Sequence, residues 1–273
     1  MYLQRARGIR YSSGMSTPFD LTRFHSLLRT RAFGRNLIFE ASVGSTMDLA
    51  RDAAQHGAVE GTLAAADEQT AGRGRLGRTW VTPPAVNLAS TLLLRPPQSV
   101  LREIAMIAPL AVCHAMQDVA GVRADIKWPN DVQIGGKKAA GILIETDFTD
   151  ARAAYVLVGC GINVNFDPRE HEEIRDIATS LKAETGREID REALLAAYVL
   201  HFEQLYDAAK AGESPRGRWR ERMVTLGQRV HASWPGGAAD GVAEDVDDDG
   251  SLILRTADDQ RITVEAGDVT LRG

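Results

Sequence analysis

The chain has 273 residues, 44% apolar and 25% charged, with 25 Gly and 10 Pro, a composition that excludes collagen, low-complexity disorder and coiled coil. At this length about 75% of the unfolded chain's surface is buried on folding, enough for one large domain and a small appendage without disulfides. The 32 Lys and Arg against 37 Asp and Glu leave a formal net charge of -5, which gives no global field to hold a polyanion and disfavours a general nucleic-acid binder.

The first fourteen residues carry Arg5, Arg7 and Arg10 with no acid and no apolar stretch, so they do not form a secretory signal. Residues 1–19 read as a disordered extension, with Met15 as the natural start and a targeting arm as the alternative. Asp20 is a helix N-cap, and a short helix runs through Leu27 and Leu28 before Gly34. Asn36 to Ala41 reads as a strand. Ser45 followed by Asp48 is a capping-box pattern opening a helix with Ala50, Ala53 and Ala54 on its small face, and Gly57 ends it. Leu63 to Ala66 is a buried strand, Glu68 to Gly77 a loop, and Val86 to Leu94 a further strand. A longer helix is predicted near Ser99 to Val119, kinked or divided by Pro109.

The period then becomes extended: Ala124 to Trp128, Val132 to Ile134, Ala139 to Thr146 and Ala153 to Val158 read as an antiparallel meander, with a Gly135-Gly136 turn. Arg191 to Ala209 places Leu194, Leu195, Tyr198, Val199, Phe202 and Leu205 on one helical face, as core packing. After Leu226 come four short strands, Arg229 to Ala232, Gly241 to Val246, Leu252 to Thr256 and Arg261 to Glu265, which fit a small β-barrel. The fold class is α+β, a mixed, largely antiparallel sheet flanked by helices and followed by an all-β tail. No apolar run approaches the roughly 18 residues of a membrane span.

Cys113 and Cys160 lie in no CxxC or Cys/His spacing, so they read as small buried hydrophobes and suit a reducing cytosol. The six histidines show no metal-ligand spacing. Asp245, Asp247, Asp249 and Gly250 imitate the start of an EF-hand, but Thr256 stands where a bidentate acid is needed, so the segment is a hairpin turn.

Gly72-Arg73-Gly74-Arg75-Leu76-Gly77-Arg78 matches GxGxxG formally. Thr79, Trp80, Pro83 and Pro84 exclude the helix that a dinucleotide site requires after it. What remains is a loop whose glycines admit a ligand close to the backbone and whose three arginines have no acid within the segment, a place for a carboxylate or phosphate. The plain alternative is a solvated basic turn. Lys127-Trp128-Pro129-Asn130-Asp131 sets a cation, an amide and a carboxylate on one rigid segment that is also an ordinary turn. Lys138 could reach an anion lying over Gly141 and Ile142. Gly159 and Gly161 also fit a tight bend.

In order and spacing, GRGRLGRTW (72–80), KWPND (127–131), KKAAGILIE (137–145) and GCGINVN (159–165) resemble the biotin protein ligases, over about residues 36–273. The resemblance implies a class II synthetase-like biotin/lipoate ligase fold over residues 20–223 and an SH3-like barrel over 224–273. It also implies the ligase-only form, since the helix before Gly34 is too little for a DNA-binding winged helix.

It further implies that biotin and MgATP give biotinyl-5′-adenylate and pyrophosphate, after which a lysine of a biotin carboxyl carrier protein attacks the mixed anhydride. By the same match Ser45, Thr46, Met47, Gln69, Gly72, Arg73, Gly74, Arg75, Lys138, Gly141 and Ile142 line the biotin site, with Met47 where the family usually has Asn. Arg75, Arg78, Trp80, Lys127, Asn130, Asp131, Lys138 and Asn163 serve the nucleotide. Arg75, Lys138, Lys127 and Asp131 are the catalytic candidates, Asp131 as proton acceptor or Mg²⁺ ligand. The expected setting is cytoplasmic, without nucleic acid, membrane or a tightly bound prosthetic group, and with a homodimer left open. The rivals are a lipoate or octanoate ligase or transferase and a noncatalytic nucleic-acid-binding module. Residues 241–260, with seven acids and one Arg, speak against the latter.

Overall fold

A computed structural model describes residues 17–149, 152–170, 172 and 174–271. The extension expected at residues 1–19, with its start at Met15, falls for residues 1–16 outside the described residues. Residues 17–19 are not an extension. Phe19 is buried, its N–H donates to the Asp67 carboxylate at 3.0 Å, and its ring stacks on Phe39 at 5.3 Å. The apolar ring carries this segment into the fold ahead of the Asp20 cap.

Twelve strands and six α-helices are described. In chain order they are α1 (Leu21–Leu27), β1 (Leu37–Val43), α2 (Thr46–Gln55), β2 (Leu63–Gln69), β3 (Leu88–Leu94), α3 (Ile104–Ala120), β4 (Asp125–Lys127), β5 (Asp131–Ile134), β6 (Lys137–Thr149), β7 (Arg152–Ile162), α4 (Leu181–Thr185), α5 (Arg191–Lys210), α6 (Arg216–Glu221), β8 (Arg229–Trp234), β9 (Gly237–Val246), β10 (Leu252–Arg255), β11 (Arg261–Val264) and β12 (Asp268–Leu271). The Asp20 carboxylate accepts from the Arg23 N–H, as an N-cap should.

The main sheet has the order β1-β2-β3-β7-β6-β5-β4. Only β1 and β2 are parallel. The expected meander is present as β4 to β7, each strand antiparallel to the next, and β7 returns beside β3. Pleating sends alternate side chains to opposite faces. On one face Val132, Ile142, Val158, Cys160 and Ile162 join α3 and α5 in the large core. On the other, Met47, Ala50 and Ala54 of α2 pack on Ala64, Leu93 and Leu157. Small residues on α2 let this helix lie close to the sheet, and its N-terminus points toward the cleft described below.

Helix α3 is not divided at Pro109. It runs 17 residues through the proline. A helix-interior proline forfeits one backbone bond and costs about 3 kcal/mol or more, but Ile107, Leu110, Ala111 and Val112 around it are fully buried, so packing overrides the local breaker. Helices α4 and α6 were not expected, because five or six residues carry no readable period.

The tail forms a five-stranded antiparallel sheet, β11-β10-β9-β8-β12. Its last strand, β12, also went unpredicted, four residues having too little alternation to stand out. Val230, Ala232, Leu252 and Leu254 join the same core as α3 and α5, and the Trp128 indole donates to the Gly250 carbonyl at 3.0 Å. The Asp247 carboxylate accepts from the N–H groups of Asp249 and Ser251, which is a turn and not a calcium loop. Cys113 and Cys160 are free and buried, and burial pushes both thiols up to about 12, consistent with inert core residues.

Candidate active site

The open face of the main sheet carries a cleft of about 430 Å³, bounded by the start of α2, strands β5 to β7, the segment 72–80 and residues 268–270. Its floor is made by absent side chains. Gly141 and Gly161 are register partners on β6 and β7. A Cβ on Gly141 would meet Trp80 and Lys138 at 3.1 Å, and one on Gly159 would fall 2.7 Å from Met47 Sδ. Gly159 and Gly161 therefore do not make a tight bend. They sit in extended strand, and what they supply is room for the Trp80 ring and the Met47 thioether.

Segment 72–80 is a closed ribbon. The Trp80 N–H donates to Gly72 O at 2.9 Å, the Gly74 N–H to Arg78 O at 2.7 Å, and Arg73 pairs with Thr79. A single tight turn, Arg75–Gly77, forms the tip, with Leu76 at φ 55° and Gly77 at φ 72°. Gly72 does not line the cleft; its missing side chain lets the backbone of Trp80 approach, since a Cβ there would lie 2.3 Å from Trp80 O.

Two of the three arginines have acids after all. Arg73 makes a bidentate pair with Asp48 at 2.8 and 2.6 Å, and Arg78 pairs with Asp268. Both acids are remote in sequence, so a window on the loop could not find them. Arg75 differs. It donates to Asn130 Oδ1 at 3.0 Å and to Gly267 O at 2.9 Å, and among the described residues no carboxylate pairs with it. Burial pulls its pKa below the usual value, opposed by Asp268 and Asp131. It is a partly desolvated cation fixed by two neutral acceptors, and a desolvated cation gains most from an incoming anion.

Lys138 points into the same space. Its ammonium lies 2.6 Å from Asp131 and 5.5 Å from the centre of the Trp80 ring. Its backbone is pinned on both sides by Ile177 and Thr179. The Trp128-Pro129 peptide is cis. Beyond it, Asn130 accepts from Arg75 and donates to Ile142 O, so the amide aims the guanidinium. Lys127 also lines the cleft, without an ion-pair partner among the described residues. Among the described residues no cluster of three His, Cys, Asp or Glu could hold a metal, and Asp131 is already engaged by an ammonium.

At the α2 end the Ser45 hydroxyl accepts from the Met47 N–H at 3.3 Å. The reciprocal half of the capping box is not made, because the Asp48 carboxylate turns to Arg73 and Arg51. Thr46 donates its N–H (2.8 Å) and hydroxyl (3.1 Å) to Gln69 Oε1, and Gln69 donates to the Thr82 hydroxyl at 3.3 Å. The Ile142 side chain is buried in the core, and its carbonyl accepts from the Asn130 amide. The Asn163 amide is committed to Thr179 O at 3.0 Å and to Asn87, which makes it a brace for the wall. Sequence reasoning missed Asp48, Asp268 and Gln133. Two buried side-chain polar atoms on cleft-lining residues, Trp80 Nε1 and Gln133 Oε1, have no partner among the described residues.

Residues 40–163 match the biotin/lipoate A/B protein ligase family and residues 225–272 the biotin protein ligase C terminal domain. The chain is 38% identical over 234 residues to the bifunctional ligase/repressor BirA of Bacillus subtilis, covering 84% of this chain and 72% of the relative. It is 33% identical over 244 residues to a biotin–[acetyl-CoA-carboxylase] ligase of Mycobacterium tuberculosis, covering 86% and 88%. A biotin protein ligase from Aquifex aeolicus, solved in complex with biotin and ATP, has a TM-score of 0.75 at 30% identity, covering 87% of this chain and 99% of that one.

Proposed function

The chain belongs to the biotin protein ligase family, and we propose that its cleft joins biotin to ATP as biotinyl-5′-adenylate and then passes biotin to a lysine of a biotin carboxyl carrier protein. The observation that carries this is Arg75, a partly desolvated guanidinium without a carboxylate, set between Asn130 and Gly267 over a glycine floor. In the first step a biotin carboxylate oxygen attacks the α-phosphorus and the bond to the β-phosphate oxygen breaks, releasing pyrophosphate. Two anions must meet and charge builds in the transition state, so fixed cations matter more than a base.

Among the described residues Arg75 and Lys127 have no acid to release first, whereas Lys138 must exchange Asp131 for the incoming anion. Ser45, Thr46, Gln69 and Arg73 form the biotin end, with Met47 as apolar wall. Trp80, Arg78, Asn130 and Asp131 form the nucleotide side. Mg²⁺ is assigned to the nucleotide and to no protein cage. In the second step the carrier amine attacks the carbonyl carbon, AMP leaves with the carbon–oxygen bond, and the nitrogen loses a proton; Asp131, 2.6 Å from Lys138, is the carboxylate at hand to accept it. The ribbon over the cleft keeps water from the anhydride.

We place the ligase chemistry in residues up to 223 and treat 224–273 as the C-terminal domain that supplies Asp268 and Gly267, in a cytoplasmic protein. Pyrophosphate exchange measured with biotin and with lipoate tests the substrate. Exchange with biotin is expected, and exchange with lipoate alone overturns the reading in favour of a lipoate ligase.

A further inference from the structure

Asp48, in the first turn of α2, sits between two guanidinium groups. Arg73 of the ribbon binds its carboxylate at 2.8 and 2.6 Å, and Arg51, one turn along the helix, at 3.0 Å. Arg51 reaches on to Glu145 of β6. Charges alternate along this chain of four side chains, which ties ribbon to helix and helix to sheet.

The ribbon has reason to need the tie. Its three glycines lose much conformational entropy on ordering, its tip holds Leu76 in the left-handed region, and Leu76 is 70% exposed. Its own backbone bonds close it on itself. They do not hold it to the cleft. That hold comes from the Trp80 ring against Gly141 and Gly161, from Arg75 toward Asn130 and Gly267, from Arg78 toward Asp268, and from Arg73 toward Asp48.

We propose that Asp48 is a positioning residue: through Arg73 it keeps the ribbon closed over the cleft before substrate arrives and while the mixed anhydride is bound. It touches no reacting atom. Only the second half of this statement rests on the ligase reading. If the closed state is the competent one, losing the tie reduces its population, and apparent substrate affinity falls by that fraction while the rate once bound is kept.

The test is Asp48→Asn in the full chain. KM for biotin is expected to rise about fivefold, the size fitting a bidentate but half-exposed pair, with kcat for adenylation unchanged. Biotinyl-adenylate is expected to leave the variant about fivefold faster, and trypsin to cleave the free protein faster after Arg73, Arg75 or Arg78. Asp48→Glu keeps the charge and is expected to restore most of each property, which a purely structural role does not require.

The Asp48 side chain is 55% exposed, so the variant is expected to fold; Asp48→Ser carries the same test if it does not. A folded variant cleaved at the normal rate, or one with kcat reduced and KM unchanged, overturns the proposal. If the unaltered protein makes no biotinyl-adenylate, the ligase reading falls, while the tryptic comparison still reports on the hold of Asp48 over the ribbon.

Discussion

Trp80 lies across Gly161 so closely that a Cβ on the glycine would fall 2.3 Å from the indole Nε1 and 2.4 Å from Cε2. The ring is a wall of the cleft, and the strand beneath it is shaped to receive it. Gly161→Ala is therefore expected to push the indole into the cleft, with overpacking of about 1–3 kcal/mol. The expected outcome is a rise of about tenfold or more in KM for biotin or ATP, since 1.4 kcal/mol is one decade. Steady-state kinetics check it, with a thermal melt to show that the fold survives. Unchanged constants would mean that the indole is not where catalysis needs it.

Arg75→Ala removes the one arginine of the ribbon that no carboxylate among the described residues has claimed. If Arg75 stabilises charge in the adenylation transition state, its loss should cost about two to three decades in the first step. Arg75→Lys is not expected to rescue it, because the guanidinium meets Asn130 and Gly267 at two separate points and an ammonium has no such fork. A single-turnover assay separates slow formation of the adenylate from its escape. Normal rates in both steps would remove Arg75 from the site.

The sequence carried the elements well and the connections between them poorly. The meander was legible because β4 to β7 are consecutive hairpins with a Gly135-Gly136 turn, and α5 because its apolar face repeats over twenty residues. The ribbon's arginines were legible as an anion site, but their pairing was not. Asp48 lies 25 residues from Arg73 and Asp268 lies 190 from Arg78, and no local pattern states such contacts. Asp48 even reads as half of a capping box, a role it abandons for the stronger charge-assisted bonds. Pro109 misled for the converse reason, since a local rule was overridden by burial on all sides.

Stability in acid should depend on Glu203. Its buried carboxylate accepts from the N–H groups of Arg31, Ala32 and Phe33 at 2.8, 2.8 and 2.9 Å. Burial pushes its pKa up, but these bonds outweigh it and hold the group below the ordinary value. The unfolded chain then binds more protons, so this contribution is complete above the ordinary carboxylate pKa and is lost as pH falls through the depressed one. Glu203→Gln is expected to destabilise the protein by about 1–3 kcal/mol near neutrality, with the gap narrowing toward acid. Urea unfolding at two pH values checks it; a gap independent of pH would contradict it.

Duplex DNA is expected to bind negligibly at physiological salt. The net charge is -5, and two of the ribbon's three arginines already hold carboxylates, leaving few cations free to displace counterions. A tight complex that weakens steeply with salt would contradict this.

The account stands most directly on the intact mass of a purified carrier domain incubated with this protein, biotin and MgATP. It predicts one added biotinyl group, on a single lysine, only when both small molecules are present. A carrier left unmodified under those conditions, or modified when lipoate replaces biotin and not otherwise, would contradict it.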